Sequence, residues 1–145
     1  MRVGFYLAPE QPVERVLPQI AKKAVETGER MLVVAEDGAL LERIGKALWE
    51  QAPEDFLASG RADAPNAERQ PLLLSENCEP ANGAKLIALA DGRWREEARS
   101  FDRAFLFFDE TGRAAAREIW RSLDTAEGIE REFWEHDGGK WAKKA

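Results

Sequence analysis

Five short apolar runs constrain the fold of this 145-residue chain more than any other feature of its sequence. They occupy residues 3–8, 30–35, 71–75, 85–90 and 103–108. Runs of this length, rich in Val, Leu, Ile and Phe, are typical of strands that are buried on both faces. Such strands need helices on both sides of the sheet, because each apolar face must be covered.

Helical patterns separate several of these runs. Apolar residues recur with the helical period over residues 13–27, where Gly28 stands in the position of a C-terminal cap, and again over 39–51. Pro18 lies inside the first pattern, and we expect it to kink that helix or delay its start. Strand, helix and strand at this length predict a right-handed parallel crossover. Residues 1–145 are therefore predicted to form one three-layer α/β domain with a mainly parallel central sheet.

Three segments do not follow this alternation. Residues 57–70 are poor in apolar side chains and rich in turn formers, which predicts an exposed loop. Neither residues 91–100 nor residues 129–145 carry a pattern that assigns them a secondary structure.

A third helical pattern, over residues 112–124, has an unusual arrangement of charges. Three arginines fall on one line along this helix: Arg113, Arg117 and Arg121. The opposite stripe, which we expect to face the core, contains Ala115, Ile119 and Leu123. Trp120 lies at the border between the two, and Arg117 has no carboxylate three or four residues away on either side. Like charges one turn apart cost about 0.2–0.5 kcal/mol per pair.

This arginine row has two interpretations. In a chain of formal net charge −6, a basic row with an aromatic edge indicates a docking site for an acidic ligand with an apolar tip. The alternative is a solvated helix face whose arginines pair with carboxylates from elsewhere in the fold.

A second aromatic feature, at the end of the second helical pattern, also has two interpretations. Trp49 and Phe56 either complete the core or form an exposed patch that binds another protein.

The sequence offers no catalytic, cofactor or metal site. Residues 105–110 (FLFFDE) resemble the Mg²⁺-binding strand of ATP-hydrolysing motors, but no Gly-rich phosphate loop of the G-x-x-x-x-G-K-[ST] or G-x-G-x-x-G type occurs. His136 stands in a charged segment and is predicted to be an exposed surface histidine. Cys78 lies near Glu76 and Glu79, which should raise the pKa of its thiol. We therefore predict a protein that is not an enzyme and holds neither cofactor nor metal.

Composition limits the possible partners and compartment. No apolar run approaches the length of a membrane span, no signal-peptide pattern is present, and the single cysteine suits a reducing compartment, so we expect a cytoplasmic protein without a membrane partner. The acidic net charge argues against direct nucleic-acid binding. The alternative is a single-stranded nucleic-acid module in which Trp120, Trp134 and Trp141 stack on bases.

Short motifs in a fixed order extend over nearly the whole chain. They are Phe5-Tyr6-Leu7, Gly28 before Val33, Leu48-Trp49, Pro53 with Phe56, Gln70-Pro71-Leu72, Phe101 with Arg103, Asp109, and Ala116-Arg117 with Trp120. In their order and spacing these motifs resemble the chi subunit of bacterial DNA polymerase III. The chain departs from that family at Ala58-Ser59-Gly60, where a Pro-His-Gly usually follows the Phe-Leu pair.

The resemblance implies a Rossmann-like fold without a nucleotide site, in a non-catalytic accessory subunit of the clamp-loader complex of the DNA polymerase III holoenzyme. It also implies two partners, the acidic C-terminal tail of the single-stranded DNA-binding protein and the psi subunit. That tail ends in Asp residues, an Ile-Pro pair and a terminal Phe. The residues that match the family's tail-binding positions are Arg117, Trp120, Arg121, Arg113 and Phe108. The residues that match its psi-binding face are Trp49 and Phe56.

Overall fold

The computed structural model describes residues 1–51 and 57–145, and the apolar runs form the centre of one sheet. Eight strands are present in the described residues: β1 (Arg2–Leu7), β2 (Met31–Val34), β3 (Ser59–Arg61), β4 (Leu72–Ser75), β5 (Leu86–Leu89), β6 (Arg103–Phe108), β7 (Glu130–Asp137) and β8 (Lys140–Lys143). Their order across the sheet is β3-β4-β2-β5-β6-β1-β7-β8. All neighbouring pairs are parallel except the β7–β8 hairpin. The expectation of a mainly parallel sheet is confirmed.

Three α-helices connect these strands in the described residues: α1 (Val13–Glu26), α2 (Gly38–Gln51) and α3 (Arg113–Ser122). Each lies within two residues of the helix that the sequence predicts at either end. Pro18 lies inside α1 and is buried, and the helix already begins at Val13, so the proline does not delay its start.

Successive residues of each strand point to opposite faces of the sheet, which gives the protein two apolar clusters. The first cluster contains Tyr6 together with the apolar faces of α1 and α2. The second contains Phe5 and Leu7 with Ala116 and Leu123 of α3. Helices therefore contribute to the apolar packing on both faces.

Residues 57–70 do not form the continuous exposed loop that their composition predicts. Leu57 and Ala67 are buried, and Ser59–Arg61 is the edge strand β3, which pairs in parallel with β4. A short 3₁₀ helix follows at Ala67–Arg69. An edge strand is held by backbone hydrogen bonds, which Ser and Gly provide as well as apolar residues do. Composition alone therefore could not reveal it.

The two segments that the sequence left unassigned are ordered in different ways. Residues 91–100 end in a 3₁₀ helix at Glu96–Ser100. The C-terminal segment forms β7, which pairs in parallel with β1, and β8, which folds back on β7. No helix in the described residues is long and apolar enough to cross a membrane.

Candidate functional site

The helix α3 connects β6 to β7 and crosses over β1, which lies between them in the sheet. Each of these three neighbouring strands presents one phenylalanine to the face that α3 covers: Phe108 from β6, Phe5 from β1 and Phe133 from β7. Phe5 and Phe133 are direct partners in the parallel register. The rings of Phe108 and Phe133 lie 6.2 Å apart. The sheet thus provides an aromatic floor beside the helix.

A cavity of about 330 Å³ opens between this floor and α3. Its lining consists of Phe5, Phe108, Arg113, Ala116, Arg117, Trp120, Phe133 and Ala145. Its volume is at the lower end of the range that ligand pockets occupy. The cavity therefore suits a single side chain or a short peptide end rather than a nucleotide.

The turn before α3 is held by Asp109, the first carboxylate after β6. Its Oδ1 accepts hydrogen bonds from the Thr111 hydroxyl at 2.6 Å and from the Gly112 backbone N–H at 3.0 Å. These hydrogen bonds lower the pKa of Asp109 below its usual value, and the bond from Thr111 has the largest effect. Glu110 pairs with Arg113 at 3.3 Å. The two carboxylates that resemble a Mg²⁺-binding pair thus have structural roles at the start of the helix.

The three arginines of α3 differ in their partners. Arg113 lies 3.3 Å from Glu110 and 3.8 Å from Glu135 of β7, and Arg121 lies 3.3 Å from Glu118. Within the described part of the chain, Arg117 has neither an ion pair nor a side-chain hydrogen bond, although it is exposed and lines the cavity. A guanidinium that lies beside an apolar cavity and has no carboxylate partner is available for an anionic group of a ligand.

Trp120 is the aromatic wall of the cavity on the helix side. It is half-buried, and its ring meets the ring of Phe5 edge to face at a centroid distance of 5.1 Å. The guanidinium carbon of Arg131 lies 4.4 Å from the centroid of the Trp120 ring, within the range of a cation–π contact. One face of the indole is thus covered by protein, and the residue still contributes to the cavity lining.

Four of the five residues predicted for the tail site line this one cavity: Arg113, Arg117, Trp120 and Phe108. Arg121 does not line it and pairs with Glu118 instead. The predicted core stripe of α3 is wrong at one position, because Ala115 is exposed and Ala116 is buried. Sequence reasoning missed Phe5 and Phe133, which only the pairing of β1 with β7 brings to the cavity.

The second predicted surface lies at the end of α2. Trp49 is 73% exposed, so it does not complete the core. It borders a groove between α2 and the β3 edge, which is also lined by Leu41, Gly45, Leu57 and Gly60. Phe56, the other residue predicted for this surface, lies outside the described residues.

The three tryptophans of the nucleic-acid alternative do not share a face. Trp134 stacks on Tyr6 at 6.1 Å and Trp141 meets Tyr6 edge to face at 5.1 Å, on the side of α1 and α2. Trp120 packs with Phe5 on the other side of the sheet. One strand of bases could not stack on all three.

The surroundings of Cys78 and of His136 both differ from what the sequence predicts. The thiol pKa of Cys78 is raised, as expected, but burial is the main cause and Glu97 adds to it, rather than Glu76 and Glu79. His136 is not the exposed residue that the sequence predicts, because it is half-buried and packs against Trp141 at 5.0 Å. The described residues contain no group of three metal-ligating side chains.

A sequence model of the protein family described as DNA polymerase III chi subunit, HolC, matches residues 1–131 of the chain. The matched region includes Phe5, Phe108 and all of α3, and it ends two residues before Phe133. No curated protein matches the chain.

Proposed function

The chain belongs to the family of DNA polymerase III chi subunits, and we propose from this that it is a non-catalytic subunit of the clamp-loader complex. In this proposal it links the polymerase holoenzyme to single-stranded DNA-binding protein by holding that protein's acidic C-terminal tail. The observation that carries the proposal is the cavity on α3, where Arg117, which has no ion-pair partner among residues 1–51 and 57–145, lies beside an aromatic lining.

The chemistry of the cavity matches that of such a tail. A terminal Phe ring enters between the sheet floor and Trp120, while its carboxylate accepts charge-assisted hydrogen bonds from the Arg117 guanidinium. Arg113 and Arg121 already have carboxylate partners at 3.3 Å, so they contribute less to affinity than Arg117. Their role is to attract the Asp residues of the tail, which affects the association rate and salt sensitivity more than the affinity.

A titration of the unaltered protein with a synthetic tail peptide tests this proposal. The peptide contains several Asp residues followed by Ile, Pro and a terminal Phe, and we expect a dissociation constant of about 1 μM, near −8 kcal/mol. Replacing the terminal Phe by Ala should weaken binding by about tenfold, since the cavity loses its apolar occupant. A bare single-stranded oligonucleotide of equal charge serves as control. No peptide binding at hundreds of micromolar, or equal binding of the oligonucleotide, would contradict the proposal.

The groove beside Trp49 is the surface for the psi subunit. An indole that is 73% exposed next to an apolar groove is typical of an interface residue, because its burial by a partner removes a large apolar area from water. We expect Trp49→Ala to weaken co-purification with psi while leaving tail-peptide affinity within about twofold. A variant that retains psi as well as the unaltered chain does would remove Trp49 from this interface.

The finer architecture and the location of the protein complete the proposal. A three-layer, Rossmann-like arrangement is supported by the two apolar clusters, one containing α1 and α2 and the other α3. Membership in a replication-complex family supports a cytoplasmic location. Finding the tagged protein in the membrane fraction of lysed cells would contradict that location.

A further inference from the structure

One row of β7 side chains faces α3 along the whole length of the cavity. Because strand residues alternate between faces, Arg131, Phe133 and Glu135 point towards the helix, whereas Trp134 lies in the opposite cluster. Arg131 reaches the C-terminal end of α3, Phe133 lines the cavity, and Glu135 contacts Arg113 at the N-terminal end. Phe133 and Glu135 lie beyond residue 131, where the family match ends.

Arg131 fixes the helix side of the cavity. Its Nη1 donates to the Trp120 carbonyl oxygen and its Nη2 to Asp124 Oδ1, both at 2.7 Å. The carbon of the same guanidinium group also lies 4.4 Å from the Trp120 ring centroid. Arg131 thus contacts the backbone and ring of Trp120 and the side chain of Asp124, just after the end of α3, which leaves the indole little freedom to move away from the cavity.

Phe133 is the β7 residue that lines the cavity. Its ring is 6.2 Å from Phe108, and its backbone pairs in register with Phe5, which itself contacts Trp120. A ligand side chain in the cavity is therefore surrounded by aromatic rings from both the sheet and the helix. Ring-to-ring contacts favour an aromatic occupant over an aliphatic one of similar hydrophobicity.

We propose that β7 determines the specificity of the cavity, with Phe133 as a specificity-determining residue and Arg131 as a positioning residue that acts through Trp120. Together they make the cavity select an aromatic terminal side chain over a branched aliphatic one. This inference rests on the proposed function, because it assigns the aromatic part of the same peptide site.

Two peptides that differ only in a terminal Phe or Leu provide the test. The unaltered protein should bind the Phe-ended peptide about fivefold more tightly, as one additional aromatic contact predicts. Phe133→Leu should reduce this preference to less than about twofold while leaving the affinity for the Leu-ended peptide nearly unchanged. Arg131→Met should reduce the preference in the same way, and Arg131→Lys, which keeps the cation, should restore part of it.

The control is Phe101→Leu, a buried position in the same apolar cluster that does not line the cavity. This variant should lower the melting temperature and leave the Phe-to-Leu preference unchanged. If Phe133→Leu and Arg131→Met weaken both peptides equally, their role is structural and the inference is overturned. If the unaltered protein binds neither peptide, the proposed function itself fails. That result differs from equal weakening of both peptides by the variants, which would overturn only the inference about β7.

Discussion

Replacing Arg117 by Ala is expected to weaken binding of the acidic tail peptide by more than tenfold. Arg117 lines the cavity, and in the described residues it has no carboxylate partner that would compete with a ligand. Its contact with a terminal carboxylate is charge-assisted, and losing such a contact costs more than about 1.5 kcal/mol. Calorimetric titration at fixed ionic strength measures the change. Because the side chain is exposed, thermal unfolding should change little.

The same helix provides a matched control. Arg121→Ala removes an identical charge from a position that does not line the cavity and already pairs with Glu118. We expect it to change affinity by less than about threefold, with most of the effect disappearing at high salt. Equal losses for the Arg117 and Arg121 variants would indicate attraction by net charge alone. An unchanged affinity for Arg117→Ala would remove this residue from the site.

Replacing Gly4 by Ala is expected to destabilise the protein by about 2 kcal/mol, as is usual for an overpacked core. In an ordinary strand the same change is favourable by about 0.5–1 kcal/mol, because glycine loses more backbone entropy on folding. Here a Cβ at residue 4 would overlap with Cε1 of the Tyr6 ring. That ring is only 2% exposed, and it packs against Phe105 at 5.5 Å and Trp141 at 5.1 Å, so it cannot move aside freely.

Urea unfolding of a double-mutant cycle isolates this effect. In a Tyr6→Ala background the obstructing ring is absent, so adding Gly4→Ala should be neutral or slightly stabilising. Tail-peptide affinity of Gly4→Ala should remain unchanged, since Tyr6 lies in the cluster on the opposite face from α3. A Gly4→Ala protein as stable as the unaltered one would show that the aromatic cluster repacks without cost.

The elements that the sequence predicts well are those with a strong local pattern. The run 103–108 coincides with β6, because burial on both faces requires an apolar residue at nearly every position. Strands β3 and β7 are harder to predict because they lie near the edges of the sheet, where polar residues are tolerated. In β7, charged residues flank the adjacent pair Phe133 and Trp134, whose side chains lie on opposite faces, so neither face shows a continuous apolar pattern.

In the candidate site, too, the residues joined by a local pattern could be predicted, and those joined only by strand pairing could not. Arg113, Arg117 and Trp120 lie within two turns of one helix, so the helical period brings them together. The predicted core stripe is wrong only at Ala115, because three consecutive alanines, 114–116, give the period no large apolar anchor, whereas Ile119 and Leu123 pack on the core side as expected. Phe5 and Phe133 are 128 positions apart in the chain, and only the parallel pairing of their strands joins them.

The positions of the two candidate surfaces in the sheet determine whether both can be occupied at the same time. The Trp49 groove lies beside β3 and β4 on the side of α1 and α2, whereas the cavity lies over β1 on the opposite side. Four strand spacings separate β4 from β1, which corresponds to roughly 19 Å across the sheet. A ligand at one surface therefore lies on the opposite face of the sheet from a ligand at the other and does not cover its site. If both surfaces bind their partners as proposed, the protein would hold one partner on each face of its sheet at the same time.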